Sequence, residues 1–165
     1  MRQLGVAFEV RAPDVHEIVQ GDAHEVAREN AVRKATAVAG EAVLGVDTVV
    51  VTEAGVWGKP ADEGQARATL RHLAGRTHEV VSGLALVRGG ALEAVTATTA
   101  VTFRELDEAT LDWYLARREW EGRAGGYAIQ EAGAALVRRV EGDPTCVVGL
   151  PVAALLELWP GLLHR

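Results

Sequence analysis

Ala42-Val43-Leu44-Gly45-Val46-Asp47-Thr48-Val49-Val50-Val51 is an apolar, β-branched run of the kind that a sheet buries on both faces, and one carboxylate stands inside it. A strand of that sort needs a layer on each side, and the flanking sequence supplies them. From His24 to Val38, alanines and valines recur at helical spacing between charged residues, with Asp22 placed to cap the start. After a turn near Glu53-Ala54-Gly55, a short strand Val56-Trp57 leads into Gly58-Lys59-Pro60. Asp62 then opens a helix with Ala66, Leu70 and Leu73 on one face, and Gly75 stops it. Two long strands follow, from about His78 to Arg88 and from about Leu92 to Arg104, joined by the hairpin pair Gly89-Gly90. Asp107 starts a further helix. Ala134 to Val140 reads as a strand, Glu141-Gly142-Asp143-Pro144-Thr145 as a turn, and a last short helix runs through Leu155 and Leu156. Hairpins and helical crossovers both occur, so the expected fold is a single α/β domain over residues 1–165, with a mixed twisted sheet flanked by helices.

The composition suits one globular domain: 165 residues, 48% apolar and 24% charged. A net charge of −6 argues against a nucleic-acid coat or a membrane-surface protein, both of which need a basic face. The single cysteine, Cys146, excludes an internal disulfide and a Cys-rich zinc cluster. No signal-like or membrane-spanning apolar stretch is visible, and a cytoplasmic location is expected. Lysine is the anomaly. Of the 17 basic residues only Lys34 and Lys59 are lysine, which suggests that these two sites need a compact ammonium rather than a guanidinium.

Asp47 is the sharpest chemical signal. A carboxylate in a buried apolar run must find a metal, a cation or hydrogen-bond donors, and can then hold Mg²⁺ or serve as a general base. The alternative is that it sits at the strand's end and caps a loop. Lys59 stands on a rigid turn ahead of a helix N-terminus, where an anion is favoured; otherwise it is a solvated turn lysine. Lys34 shares the compositional argument, although a helix-face lysine is commonly exposed. Arg76, Thr77 and His78 lie between helix and strand, placed either to contact an anion or a nucleotide sugar or merely to begin the strand. Tyr127 and Gln130 combine a stacking ring with an amide able to read a base edge, against core packing for the ring and a turn for the amide. Glu17 has no helical or strand context. Walker, Rossmann, His-Glu-x-x-His and Gly-x-Ser-x-Gly motifs are absent from the sequence.

In their order along the chain these segments resemble the Maf proteins, nucleoside triphosphate pyrophosphatases once described as septum-formation inhibitors. The likeness is carried by Gln3-Leu4-Gly5-Val6-Ala7-Phe8-Glu9-Val10, Ala31-Val32-Arg33-Lys34-Ala35, Leu44-Gly45-Val46-Asp47-Thr48, Gly58-Lys59-Pro60, Leu73-Ala74-Gly75-Arg76-Thr77-His78, Gly125-Gly126-Tyr127-Ala128-Ile129-Gln130 and Val147-Val148-Gly149-Leu150-Pro151. The resemblance implies hydrolysis of a nucleoside triphosphate between the α and β phosphorus, with Mg²⁺ or Mn²⁺. It makes Asp47 the proton acceptor and a metal ligand, Glu17 a second acidic residue at the metal, and Lys34 and Lys59 the neutralisers of the triphosphate. Thr48 and Gln130 would be specificity positions of the branch acting on dTTP and UTP, and the protein would be a homodimer without nucleic-acid or membrane partners.

The family's pattern opens with a strand and a Ser-x-Ser-Pro-Arg-Arg loop, whereas this sequence begins inside the following helix, at about Arg2. Two readings follow: a natural protein that starts earlier, or a shortened chain that is a weak nucleotide-binding regulator of cell division. The first is favoured because Asp47, Lys34, Lys59 and Gln130 are all in place.

Overall fold

Strand β1 (Ala42–Thr52) is one of five in a sheet of spatial order β2-β1-β3-β4-β5, in a computed structural model that describes residues 1–164. Its neighbours are β2 (Gly55–Trp57) and β3 (Thr77–Arg88), and β4 (Ala91–Phe103) and β5 (Val137–Glu141) complete the sheet. Every pairing is antiparallel, which corrects the expectation of a mixed sheet while leaving the α/β class intact. The helical crossover is present, but α2 (Glu63–Leu73) carries the chain from β2 over β1 to its far side. The two strands that this helix joins, β2 and β3, run parallel but are not neighbours.

Local chemistry starts the helices where the sequence suggests. The Asp22 carboxylate accepts from the backbone N–H groups of His24 and Glu25 at the head of α1 (Ala23–Thr36). Asp62 does the same for Gln65 in α2, and Asp107 for Thr110 in α3 (Glu108–Leu115). Gly89 and Gly90, both at positive φ, join β3 to β4 with Arg88 opposite Ala91, as a two-residue hairpin turn requires. Two readings shift. The strand expected over Ala134 to Val140 is a 3₁₀ turn over Ala132–Leu136 followed by β5. The turn at Asp143-Pro144-Thr145 is the capped start of a short helix, α4 (Pro144–Val148), ahead of α5 (Val152–Leu158). At the chain's start, Arg2–Leu4 forms a single 3₁₀ turn that ends at Gly5.

The two faces of the sheet are packed differently, and that difference builds the site. On one face lie the large side chains: Val50, Val80, Val101 and Phe103 from the strands meet Leu70, Leu73, Leu111, Tyr114 and Leu136. A fully buried leucine there is worth about 1.5–3 kcal/mol relative to exposure. On the other face α1 presents alanines at four-residue spacing, with Ala27, Ala31 and Ala35 fully buried. The helix sits almost on the sheet backbone. A β-carbon at Gly45 would overlap the Ala31 carbonyl and Ala35, and one at Gly83 would overlap the Ala27 carbonyl. Glycine at these positions permits the close approach, and residues further along α1 can therefore reach β1.

Candidate active site

Asp47 lies in the middle of β1, opposite Gly83 of β3, and is 9% exposed. The strand-end alternative is thereby excluded. Its side chain points at α1, which answers the buried charge from two successive turns. Lys34 donates to Oδ1 at 2.6 Å and the Asn30 amide donates to Oδ2 at 3.0 Å. The Lys34 ammonium also contacts Glu17 at 2.7 Å, so one cation bridges two carboxylates. Burial opposes the charge on Lys34, but its hydrogen bonds to Asp47 and Glu17 outweigh that and hold its pKa above the ordinary lysine value. Glu17 is held below the ordinary glutamate value, first by the Lys34 hydrogen bond, with a smaller contribution from the charge of Lys59.

Asn30 does more than satisfy Asp47. It is 2% exposed, and its side-chain oxygen accepts from the Ile18 backbone N–H at 2.7 Å while its amide donates to the Ile18 carbonyl at 2.9 Å. This pair of bonds pins an otherwise irregular segment, and with it the adjacent Glu17, beside the end of Lys34. All the polar capacity that Asn30 turns towards Ile18 and Asp47 is matched.

Beside Asp47 opens a cleft of about 200 Å³. Among the described residues β1 pairs with β2 only over Val50–Thr52, so the stretch Ala42–Val49 has a strand neighbour on the β3 side alone. The cleft lies over that free edge and reaches both faces, since Val46, Asp47 and Thr48 all line it although adjacent strand residues point oppositely. Lys34, Lys59 and Arg123 line it as well, three cations against the one carboxylate of Asp47. A chain of net charge −6 thus concentrates positive charge at one cleft. Lys59 is exposed, and its turn is held in place by the Gly125 N–H donating to the Gly58 carbonyl at 3.1 Å.

Gln130 is exposed at the rim, and Thr48 lies on the β1 face opposite α1. The Thr48 hydroxyl is 2.7 Å from that of Ser82. Tyr127 contributes to the wall but is chiefly core: it is 5% exposed, stacks edge-on with Phe103 and His78, and has its hydroxyl 2.9 Å from His78 Nε2.

The structure gathers Asp47, Lys34, Lys59, Thr48 and Gln130 at the cleft and sets Glu17 on its Lys34 side. Arg76 and Thr77 are elsewhere. Both are exposed and absent from the cleft lining; Arg76 approaches His72, and Thr77 pairs with Thr102 across β3 and β4. Sequence reading missed Asn30, Ser82 and Arg123. Asn30 is the only one with a visible signal, an amide on the alanine-rich face of α1.

For a metal ion the described residues offer a sparse donor set, with no cluster of three or more His, Cys, Asp or Glu side chains. Asp47 and Glu17, hard oxygen donors sharing one ammonium, suit a cation that is bound through one or two carboxylates and completes its shell with water and phosphate. No helix among the described residues is long and apolar enough to cross a membrane.

The chain is similar to several known proteins named dTTP/UTP pyrophosphatase. One from Pyrococcus furiosus is 41% identical over 118 residues, which cover 72% of this chain and 62% of that protein. One from Symbiobacterium thermophilum is 39% identical over 164 residues, covering 96% of this chain and 84% of the relative. A third, from Anaeromyxobacter dehalogenans, is 44% identical over 167 residues, covering 94% and 84%. The family described as Maf-like protein matches residues 1–161. The chain belongs to the Maf family.

Proposed function

We propose that this chain hydrolyses dTTP and UTP between the α and β phosphorus, giving the nucleoside monophosphate and pyrophosphate. The observation that carries the reading is a carboxylate, Asp47, held by Lys34 and Asn30 at a cleft lined by three cations. The names of the relatives supply the substrate class.

In this reading the triphosphate lies along Lys34, Lys59 and Arg123, which offset the charge that builds on phosphoryl oxygens as the bridging P–O bond breaks. Each Asp47 oxygen accepts one hydrogen bond from the protein and keeps lone-pair capacity for a water. Asp47 orients that water towards the α phosphorus and takes its proton, and pyrophosphate leaves. Asn30 keeps the carboxylate from turning. Asp47 and Glu17 would hold Mg²⁺ or Mn²⁺, which supplies Lewis-acid neutralisation of the phosphates when bound. Gln130 and Thr48 offer donors and acceptors to a base edge. A cytoplasmic homodimer that acts on neither nucleic acid nor membrane belongs to the same reading. The alternative of a weak regulatory binder is not favoured, because the carboxylate and the cations are assembled together.

Chromatography of products from dTTP and Mg²⁺ tests the reaction. The expected result is dTMP and pyrophosphate in equal amounts; dTDP and phosphate would place the cleavage elsewhere and overturn the assignment.

A further inference from the structure

Three polar side chains are sunk in the apolar layer behind the cleft. Tyr114 and Tyr127 belong to the cluster of Val50, Val80 and Leu70, His78 meets Phe103 edge-on, and all three are buried. Phenylalanine would fill the space of either tyrosine, and a buried hydroxyl costs free energy unless it is bonded. Burial pushes the Tyr114 phenol up to about 12 and raises that of Tyr127 as well, so both stay protonated. Both hydroxyls tie down the same short stretch of chain. Tyr114 Oη accepts from the Ala128 backbone N–H at 3.0 Å, and Tyr127 Oη stands 2.9 Å from His78 Nε2 on β3. The other ring nitrogen of His78, Nδ1, is buried with no hydrogen-bond partner among the described residues, a cost that a leucine would avoid.

The stretch over residues 123–128 is irregular, with Gly125 and Gly126 both at positive φ, a backbone that has many alternatives unless it is held. It bears Arg123, and the bond from the Gly125 N–H to the Gly58 carbonyl makes it the support of the Lys59 turn as well. Two of the cleft's three cations thus depend on one stretch, whereas Lys34 is set independently by α1. We infer that Tyr114, Tyr127 and His78 are positioning residues that act through this stretch: they hold Arg123 and Lys59 at the cleft before a ligand arrives, so that a polyphosphate meets both cations in place. This rests on the proposed function and deepens it. Like charges around an empty cleft repel, and an untied stretch would let Arg123 swing into solvent. Bonds made in the core offset that repulsion in advance, which is what preorganisation of a charged site requires.

The test is calorimetric titration of the folded protein, without divalent metal, using inorganic tripolyphosphate, which offers the charge without a base. Tyr127→Phe and Tyr114→Phe, which keep the ring, should each weaken binding by about fivefold, the effect of one lost hydrogen bond. The double variant His78→Leu/Tyr127→Phe separates positioning from stability. It removes both partners of a buried bond, so its urea midpoint should match or exceed that of the wild type, yet its binding should stay about fivefold weaker. Binding that returns to the wild-type value together with stability marks a merely structural role and overturns the inference. Coupling gives a second readout: the loss from Tyr127→Phe should persist in a Lys34→Met background and shrink in Arg123→Ala, whose cation is the one being held. An equal loss in the two backgrounds, or no loss in Tyr127→Phe, also overturns the inference while leaving the pyrophosphatase reading standing. Failure of the wild-type protein to bind tripolyphosphate contradicts that reading and the inference with it.

Discussion

The Nζ of Lys34 stands 2.6 Å from Oδ1 of Asp47, and the two residues approach because α1 lies almost on the backbone of β1 and β3. A buried carboxylate and its cation thus come from different layers of the fold, and the same ammonium reaches Glu17.

Replacing Lys34 with Ala removes a phosphate ligand and leaves Asp47 without its ion-pair partner. kcat/KM for dTTP should fall by about 10²–10³, the size of effect expected when one preorganised positive group is lost from a phosphoryl-transfer site. Lys34→Arg should recover only part of this, since a planar fork cannot replace an ammonium that bridges two carboxylates. Steady-state kinetics with both variants checks the order. The Glu17–Lys34 tie has its own pH window. Glu17 has a lowered pKa in the fold, so the tie contributes above the ordinary glutamate value of 4.5 and is lost as the pH falls through the folded value.

Asn30→Leu keeps volume but strands the Ile18 backbone groups and one Asp47 oxygen. A stability loss of about 2–3 kcal/mol is expected from unsatisfied buried groups, read from the urea midpoint. kcat should drop more than the stability loss alone would suggest, because Glu17 and Asp47 both lose their anchor. Asn30→Asp, nearly isosteric, should be the more damaging for turnover at neutral pH, since it sets a second carboxylate at the Asp47 oxygen.

Much of this arrangement was legible in the sequence where the signal is local. The carboxylate within β1, the Asp22 cap and the two lysines could be read because each stands out against its immediate neighbours. Asn30 could not be paired in advance, as its partners Ile18 and Asp47 lie 12 and 17 residues away and only the tertiary fold brings them in. Arg123 is one arginine among many. Arg76 and Thr77 show the converse difficulty: they begin the right strand at its far end. Thr77 is six residues from Gly83, which faces Asp47, and at about 3.3 Å per residue that is about 20 Å. The antiparallel sheet was hidden for a similar reason, because a crossover helix does not announce that it skips a strand.

Gly83→Val should separate α1 from the sheet. The added side chain meets the Ala27 carbonyl, a backbone atom that cannot turn aside. A loss of about 3 kcal/mol is expected, the upper range for overpacking, measured as a shift in the denaturation midpoint. Activity per folded molecule should fall as well, since the shift carries Asn30 and Lys34 away from Asp47.

His78 gives the fold an acid sensitivity independent of the cleft carboxylates. Burial lowers its pKa from the ordinary 6.5 to about 4, so the folded protein holds it neutral while the unfolded chain binds a proton. Stability should therefore decrease as the pH drops from 6.5 towards 4, by about 3 kcal/mol at most, and level off below. Urea unfolding of wild type and His78→Gln at pH 7 and pH 4.5 isolates the contribution: the wild type should lose more on acidification than the variant.

The central claim is that Asp47 takes the proton of the attacking water in a cleft whose cations hold the triphosphate. The most direct test is pyrophosphate release from dTTP with Mg²⁺ by wild type and Asp47→Asn, with circular dichroism showing that both are folded. Loss of a positioned general base predicts a fall in kcat of about 10²–10⁴. An Asp47→Asn protein that releases pyrophosphate within tenfold of the wild-type rate would contradict the account.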